Sequence, residues 1–147
     1  MRERVIIPFV LTALAAGCGS REIRPVEVYP EDMCTHCRMA ISDQRFGGEL
    51  ITAGGEVYKF DDIGCLESFR KERPDVAPAA VYVRDYESKS WLGVARATIV
   101  RTGVATPMGS GMVAFPDSSK ARAFAAGHPV LAGGTETGGC GCCGREG

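Results

Sequence analysis

Histidine is scarce in this chain, and so are long apolar runs and any surplus of one charge. Only His36 and His128 are present, with no Ser/His/Asp set, phosphate-cradling glycine loop or paired-carboxylate pattern beside them. Enzymatic chemistry therefore has little to work with, and the chain reads as a non-enzyme. Lysine and arginine number 17 against 18 acidic residues. No basic run could track a phosphate backbone, which argues against nucleic acid as a partner. No apolar stretch is long enough to span a bilayer. A chain of 147 residues suits one domain or two tightly joined halves, and it excludes multidomain machinery.

Sulfur, by contrast, is plentiful, with seven cysteines and five methionines. The stretch Asp32-Met33-Cys34-Thr35-His36-Cys37-Arg38-Met39 sets two cysteines three apart and a methionine two further on. Such a pair brings two thiolates within reach of one ion or of each other, and the thioether adds a third soft donor if the loop folds back. Soft sulfur sites favour Cu(I). The same spacing serves zinc sites and dithiol redox centres, and Met39 could equally be a core residue opening a strand.

The N-terminus reads as an export signal over residues 1–17, with Arg2 and Arg4 ahead of an apolar stretch from Val5 to Ala16. Its end, Leu14-Ala15-Ala16-Gly17-Cys18, resembles the lipobox of bacterial lipoproteins. That resemblance implies acylation of Cys18 and a periplasmic protein tethered to a membrane by lipid. By resemblance to Gram-negative lipoproteins, Gly19 after the cysteine, where aspartate is absent, implies the outer membrane. The alternative is a soluble secreted protein cut near Ala16. An exported compartment oxidises close thiol pairs, so a metal role for Cys34 and Cys37 competes with a disulfide.

Residues 18–30 are polar and punctuated by proline, as expected of a tether. Met39-Ala40-Ile41 predicts a short strand, and Glu49–Thr52 with Val57–Phe60 around Ala53-Gly54-Gly55-Glu56 predicts a hairpin. Asp61 or Asp62 should cap a helix reaching about Lys71, with Ile63, Leu66 and Phe69 on one face and Pro74 as its stop. Strands are expected at Val81–Val83 and Trp91–Ala97, with Ile99–Ala105 extending the same sheet. A glycine-bearing turn at Thr106–Gly111 then leads to a strand ending at Phe115, and Asp117 should cap a second helix over Ser118–Ala126. Phe60, Asp62 and Phe69 recur 55 residues later as Phe115, Asp117 and Phe124, which suggests duplication. The expected fold is α+β, with two pseudo-repeated ββαβ units over residues 31–74 and 75–130 sharing a core. Residues 131–147 are rich in glycine and hold Cys140, Cys142 and Cys143; such a tail should be disordered unless a metal or disulfide pins it.

The opening motif, together with Phe60-Asp61-Asp62-Ile63-Gly64-Cys65, Thr106-Pro107-Met108-Gly109 and Ala114-Phe115, resembles the NosL family of nitrous oxide reductase accessory lipoproteins. The likeness covers roughly residues 31 to 127. It implies a Cu(I) carrier that assists assembly of the reductase's copper centre, partnered by the reductase and its maturation complex. The fold it implies is similar to a domain of organomercurial lyase. The family's opening Cys-x-x-Cys-Gly-Met is matched by Cys34, Cys37 and Met39, with Arg38 in place of the glycine.

Carrier chemistry needs accessible, exchangeable donors, and a neutral thioether binds without releasing a proton. Cys37 and Met39 are the first candidates, then Met108; Cys34 could be a ligand, a shield or an entry relay. Met112 is expected to face the core or a strand surface, and His36 to face solvent from its loop. Cys65 is either a buried small hydrophobe or a helix-start thiol of lowered pKa. His36, Cys65, Met112, Cys140, Cys142 and Cys143 are further possible metal ligands. A zinc site closed by Cys34, Cys37, Cys140 and Cys143, or a thiol–disulfide centre of Cys34 and Cys37, are the rival readings.

Overall fold

The computed structural model describes residues 22–130, and it builds them into a mixed α+β arrangement of two antiparallel sheets and two helices. The signal segment, Cys18 and the cysteines of the tail lie outside the described residues. β1 (Gly48–Thr52) and β2 (Val57–Phe60) form the expected hairpin in the register Gly48↔Phe60 to Ile51↔Val57. Gly55 takes φ 86° in the connecting turn, a conformation open to glycine at no steric cost. α1 (Ile63–Glu72) follows and ends just before Pro74, and β3 (Pro78–Arg84) then returns antiparallel along the other side of β1. β4 (Trp91–Gly93) pairs with β3, so the sheet order is β2-β1-β3-β4.

The period-two alternation of strands decides what each face of this sheet carries. Leu50, Val81, Val83, Tyr58 and Phe60 share one face through their registers, and α1 lies on it. Ile63, Leu66 and Phe69 of α1 are buried, with Phe69 5.0 Å from Tyr58 and 5.3 Å from Phe60 by ring centroid. Gly48 lets Leu66 pack closely on this face, since a Cβ there would stand 3.0 Å from a methyl of Leu66 and press it aside.

The opposite face carries Glu49, Lys59 and Tyr82, and the chain ahead of the fold crosses it. Tyr82 donates to the carbonyl of Ile23, Glu49 accepts the Val26 N–H at 2.9 Å, and Lys59 donates to the carbonyl of Glu27 at 2.8 Å. Gln44 holds the carbonyl of Val28 at 3.1 Å, and Val28 is 7% exposed. Residues 23–28 are therefore a strap docked on the sheet, whereas sequence composition predicts a tether. The strap docks through its backbone groups, which meet polar side chains of the sheet, so its own side-chain polarity carries no sign of the docking.

β5 (Thr98–Arg101) does not extend the first sheet. A 3-10 turn at Val94–Arg96 turns the chain away after only three residues of β4, and β5 pairs with β6 (Met112–Phe115) as a separate two-stranded sheet. Val113 and Phe115 face α2 (Ser118–Gly127) in a small core with Ala121 and Phe124, while Ala114 faces the main core. The sheets meet where Tyr86 donates its N–H to the Ala114 carbonyl at 2.9 Å. A boundary at residue 75 does not part the sheets, because β3 and β4 complete the sheet begun by β1 and β2. β2 with α1 and β6 with α2 each present a strand, an aspartate cap and a helix, 55 residues apart. Among the described residues, no strand follows α2 to close a second ββαβ unit.

Candidate metal centre

Residues 33–40 form a tight reversal where a strand was expected from Met39-Ala40-Ile41. Met33 and Ala40 make a single antiparallel bridge. The Cys34 N–H donates to the Met39 carbonyl at 2.8 Å, and the Arg38 N–H returns to the Cys34 carbonyl at 3.0 Å. Closing this ring requires a left-handed residue, and Arg38 supplies it with φ 63°, where the resembling motif has glycine. The reversal docks on β2 through the Thr35 N–H, which donates to the Lys59 carbonyl at 2.8 Å. Lys59 Nζ meets Asp32 at 2.6 Å and holds its carboxyl below the usual range by hydrogen bonding. Because β2 leads directly into Asp61, Asp62 and α1, this docking sets Cys34 and Cys37 beside the start of the helix.

Of the two aspartates, Asp62 is the cap: its side chain accepts the Gly64 N–H at 2.6 Å. The same carboxylate accepts the Met108 N–H at 3.0 Å and the Ser110 hydroxyl at 2.5 Å. It thereby seats the loop between β5 and β6 on the first turn of α1. A Cβ on Gly64 would lie 2.6 Å from Ser110, so only glycine permits this approach.

Asp61, left free by its neighbour, turns inward and accepts from the Cys37 thiol at 3.4 Å. One turn along, Cys65 points into the same space. The sulfurs of Cys34, Cys37 and Cys65 and a carboxylate oxygen of Asp61 all lie within 4.8 Å of one another. All three cysteines are free thiols. Cys34 is completely enclosed, Cys65 and Asp61 are nearly so, and Cys37 is half-buried. Three thiolates around a soft ion, with bonds of about 2.3 Å, stand roughly 4 Å apart, so the donors are already spaced to close on a cation.

The thiols share protons unequally. The neighbouring Cys65 thiol, helped by Asp61 and the backbone, outweighs burial and draws the Cys34 thiol down to about 4. Cys65 moves the other way, because its proton is held against the Cys34 sulfur. Burial, then the nearby Cys34 sulfur, pushes Cys37 up to about 11. Burial likewise raises Asp61 to about 6, with Cys34 adding to it. Of the three thiols, Cys34 is the one whose ionisation its surroundings favour.

A match to the profile of the NosL family runs over residues 25–134. The chain belongs to the NosL family. The NosL fold is also recognisable in the crystal structure of the copper chaperone NosL from Shewanella denitrificans. That structure superposes with a TM-score of 0.61 at 23% identity, over 71% of this chain and 87% of that one. No curated protein matches the chain.

In this NosL-family chain the remaining sulfur candidates take different places. Met39 is 57% exposed, so it is no core residue, and Met108 is 36% exposed. Met112 opens β6 and packs partly buried against the main core. His36 does not face solvent freely: its side chain is 14% exposed, with Nδ1 3.5 Å from Glu72 at the far end of α1. It does not join the thiol cluster. Asp61 is the member that sequence reasoning assigned no part in the site. The available signal was the Asp-Asp pair itself, since one carboxylate suffices to cap a helix and the other is left over. An open cleft of about 450 Å³ lined by Arg70, Tyr82 and Arg96 lies elsewhere, with no metal-ligating side chain on its walls.

Proposed function

We propose that this protein is a Cu(I) carrier of the NosL family, in which copper is cargo held by Cys34, Cys37, Met39 and Met108 and passed on by ligand exchange. The observation that supports this most directly is the convergence of three thiols on the motif loop and the adjoining helix start within 4.8 Å. A solved relative being a copper chaperone agrees with it. Cu(I) accepts low coordination by soft thiolate and thioether donors, and a thioether leaves without needing a proton. Met39 and Met108 are exposed, which suits them to receive and release an ion. No covalent turnover is involved.

The recipient in this reading is nitrous oxide reductase or its maturation complex, with the carrier held at the periplasmic face of the outer membrane through acylated Cys18. The recurrence of strand, cap and helix supports an internal duplication of ββαβ units. A second metal deserves its own arm of the test, because three thiolates and a carboxylate also make a closed four-ligand set acceptable to zinc.

X-ray absorption on the chain without residues 1–17, with Cys18 replaced and kept reduced, reports both element and sulfur number. The expected result is one Cu(I) per chain, weakened by Cys37→Ser or Met39→Leu and untouched by Cys142→Ser. Zinc retained through purification and not displaced by Cu(I) would overturn the reading.

A further inference from the structure

Cys65 enters the site from α1 and not from the motif loop, and with it the donors are arranged by depth. Met39 and Met108 are exposed, Cys37 is half-buried, and Cys34 and Cys65 are 0% and 3% exposed. Asp61, an oxygen donor poorly matched to a soft ion, engages the Cys37 thiol at 3.4 Å and so fixes where that sulfur points. We propose that the site has two stations. The outer one is made by Cys37 with Met39 and Met108; the inner one by Cys34, Cys37 and Cys65; and Cys37 stays bonded as copper moves between them.

This rests on the Cu(I) reading. Its physical basis is that exchange with another protein requires donors a partner can reach, whereas retention requires donors that water and competing thiols cannot reach. Donors at two depths meet both demands. The inner sulfurs lie within 4.8 Å of Cys37, so the ion changes station by exchanging ligands without leaving the protein. No oxidation accompanies the step: copper remains monovalent, and thiol protons leave as thiolate–copper bonds form.

The test uses the full chain in detergent, reduced, with Cys140, Cys142 and Cys143 changed to serine so that the tail supplies no sulfur. The probes are Cu(I) itself and a chromophoric Cu(I) chelator. Met39→Leu alters an exposed side chain and should leave three sulfurs around resting copper, weaken retention less than loss of Cys65 does, and slow transfer to the chelator roughly tenfold or more. Cys65→Ala should remove one sulfur and weaken retention by roughly tenfold or more. Cys65→Ser is the second variant if alanine impairs folding, which a copper-free thermal melt reveals. Loss of a sulfur in Met39→Leu, or an unchanged count and retention in a folded Cys65 variant, overturns the two-station arrangement while leaving the carrier reading intact. A parent protein that takes up no Cu(I) overturns both.

Discussion

Arg38 bears the strain of the motif loop. Its φ of 63° is a left-handed conformation that glycine adopts freely, other residues adopt at some cost, and β-branched residues scarcely adopt at all. Arg38→Gly is therefore expected to keep the melting temperature and the copper-binding properties. Arg38→Val should destabilise the protein by about 1–3 kcal/mol, measurable by urea unfolding. Cys34 offers a spectroscopic test at the same scale. With its thiol drawn down to about 4 and that of Cys37 pushed up to about 11, the copper-free protein should show the ultraviolet absorption of one thiolate from this site at neutral pH. That band should fade with a midpoint near 4 and vanish in Cys34→Ser. The sign in stability follows: the folded state releases this proton more readily than the unfolded chain. The Cys34 contribution is thus full above the ordinary thiol value of 9.0 and lost as pH falls towards about 4.

The two helices make a controlled comparison between elements. Both begin at an aspartate that caps the first turn, Asp62 for α1 and Asp117 for α2. Asp117 accepts only within its own helix, from Ser119 at 2.5 Å, on the surface. Asp62 is fully buried and also holds the Met108 N–H and the Ser110 hydroxyl. Asp117→Ala should cost about 1 kcal/mol, the ordinary loss of a cap. Asp62→Ala should cost more, on the order of 2–4 kcal/mol, because two further donors are left without a partner. It should also release the Met108 loop, seen as faster amide exchange at Met108 and unchanged exchange in α2. Gly64→Ala should loosen the same loop by steric means, since the added methyl meets Ser110.

At the scale of the whole molecule, the strap joins the segment that leads in from the N-terminus to the site. Lys59 grips both the Glu27 carbonyl in the strap and Asp32 at the foot of the motif loop. Glu49, buried on β1, accepts from Val26 with one oxygen while the other has no partner among the described residues, and burial raises its carboxyl above the usual range. Deleting residues 18–28 should cost about 2 kcal/mol or more from the loss of Val28 burial, a fall in Tm of the order of 8 °C. Ligand exchange at the thiol cluster should quicken as well, because Lys59 loses one of its two anchors.

The residue pattern by itself determined the local elements: the hairpin, both helices with their aspartate caps, and the mixed α+β class. It could do so because alternation, capping and glycine turns act over a few neighbouring residues. The motif loop was legible as a soft-metal candidate from the spacing of Cys34, Cys37 and Met39. Tertiary structure alone decided that residues 23–28 dock as a strap, that β5 leaves the first sheet, and that Cys65 and Asp61 complete the thiol cluster. Those outcomes depend on which strand pairs with which and on what the far side of a sheet presents. Cys34 and Cys65 stand 31 positions apart in the chain, and the docking of the motif loop on β2 and the helix start, through Thr35, Asp32 and Cys37, brings their sulfurs together, a contact between segments that no local pattern encodes.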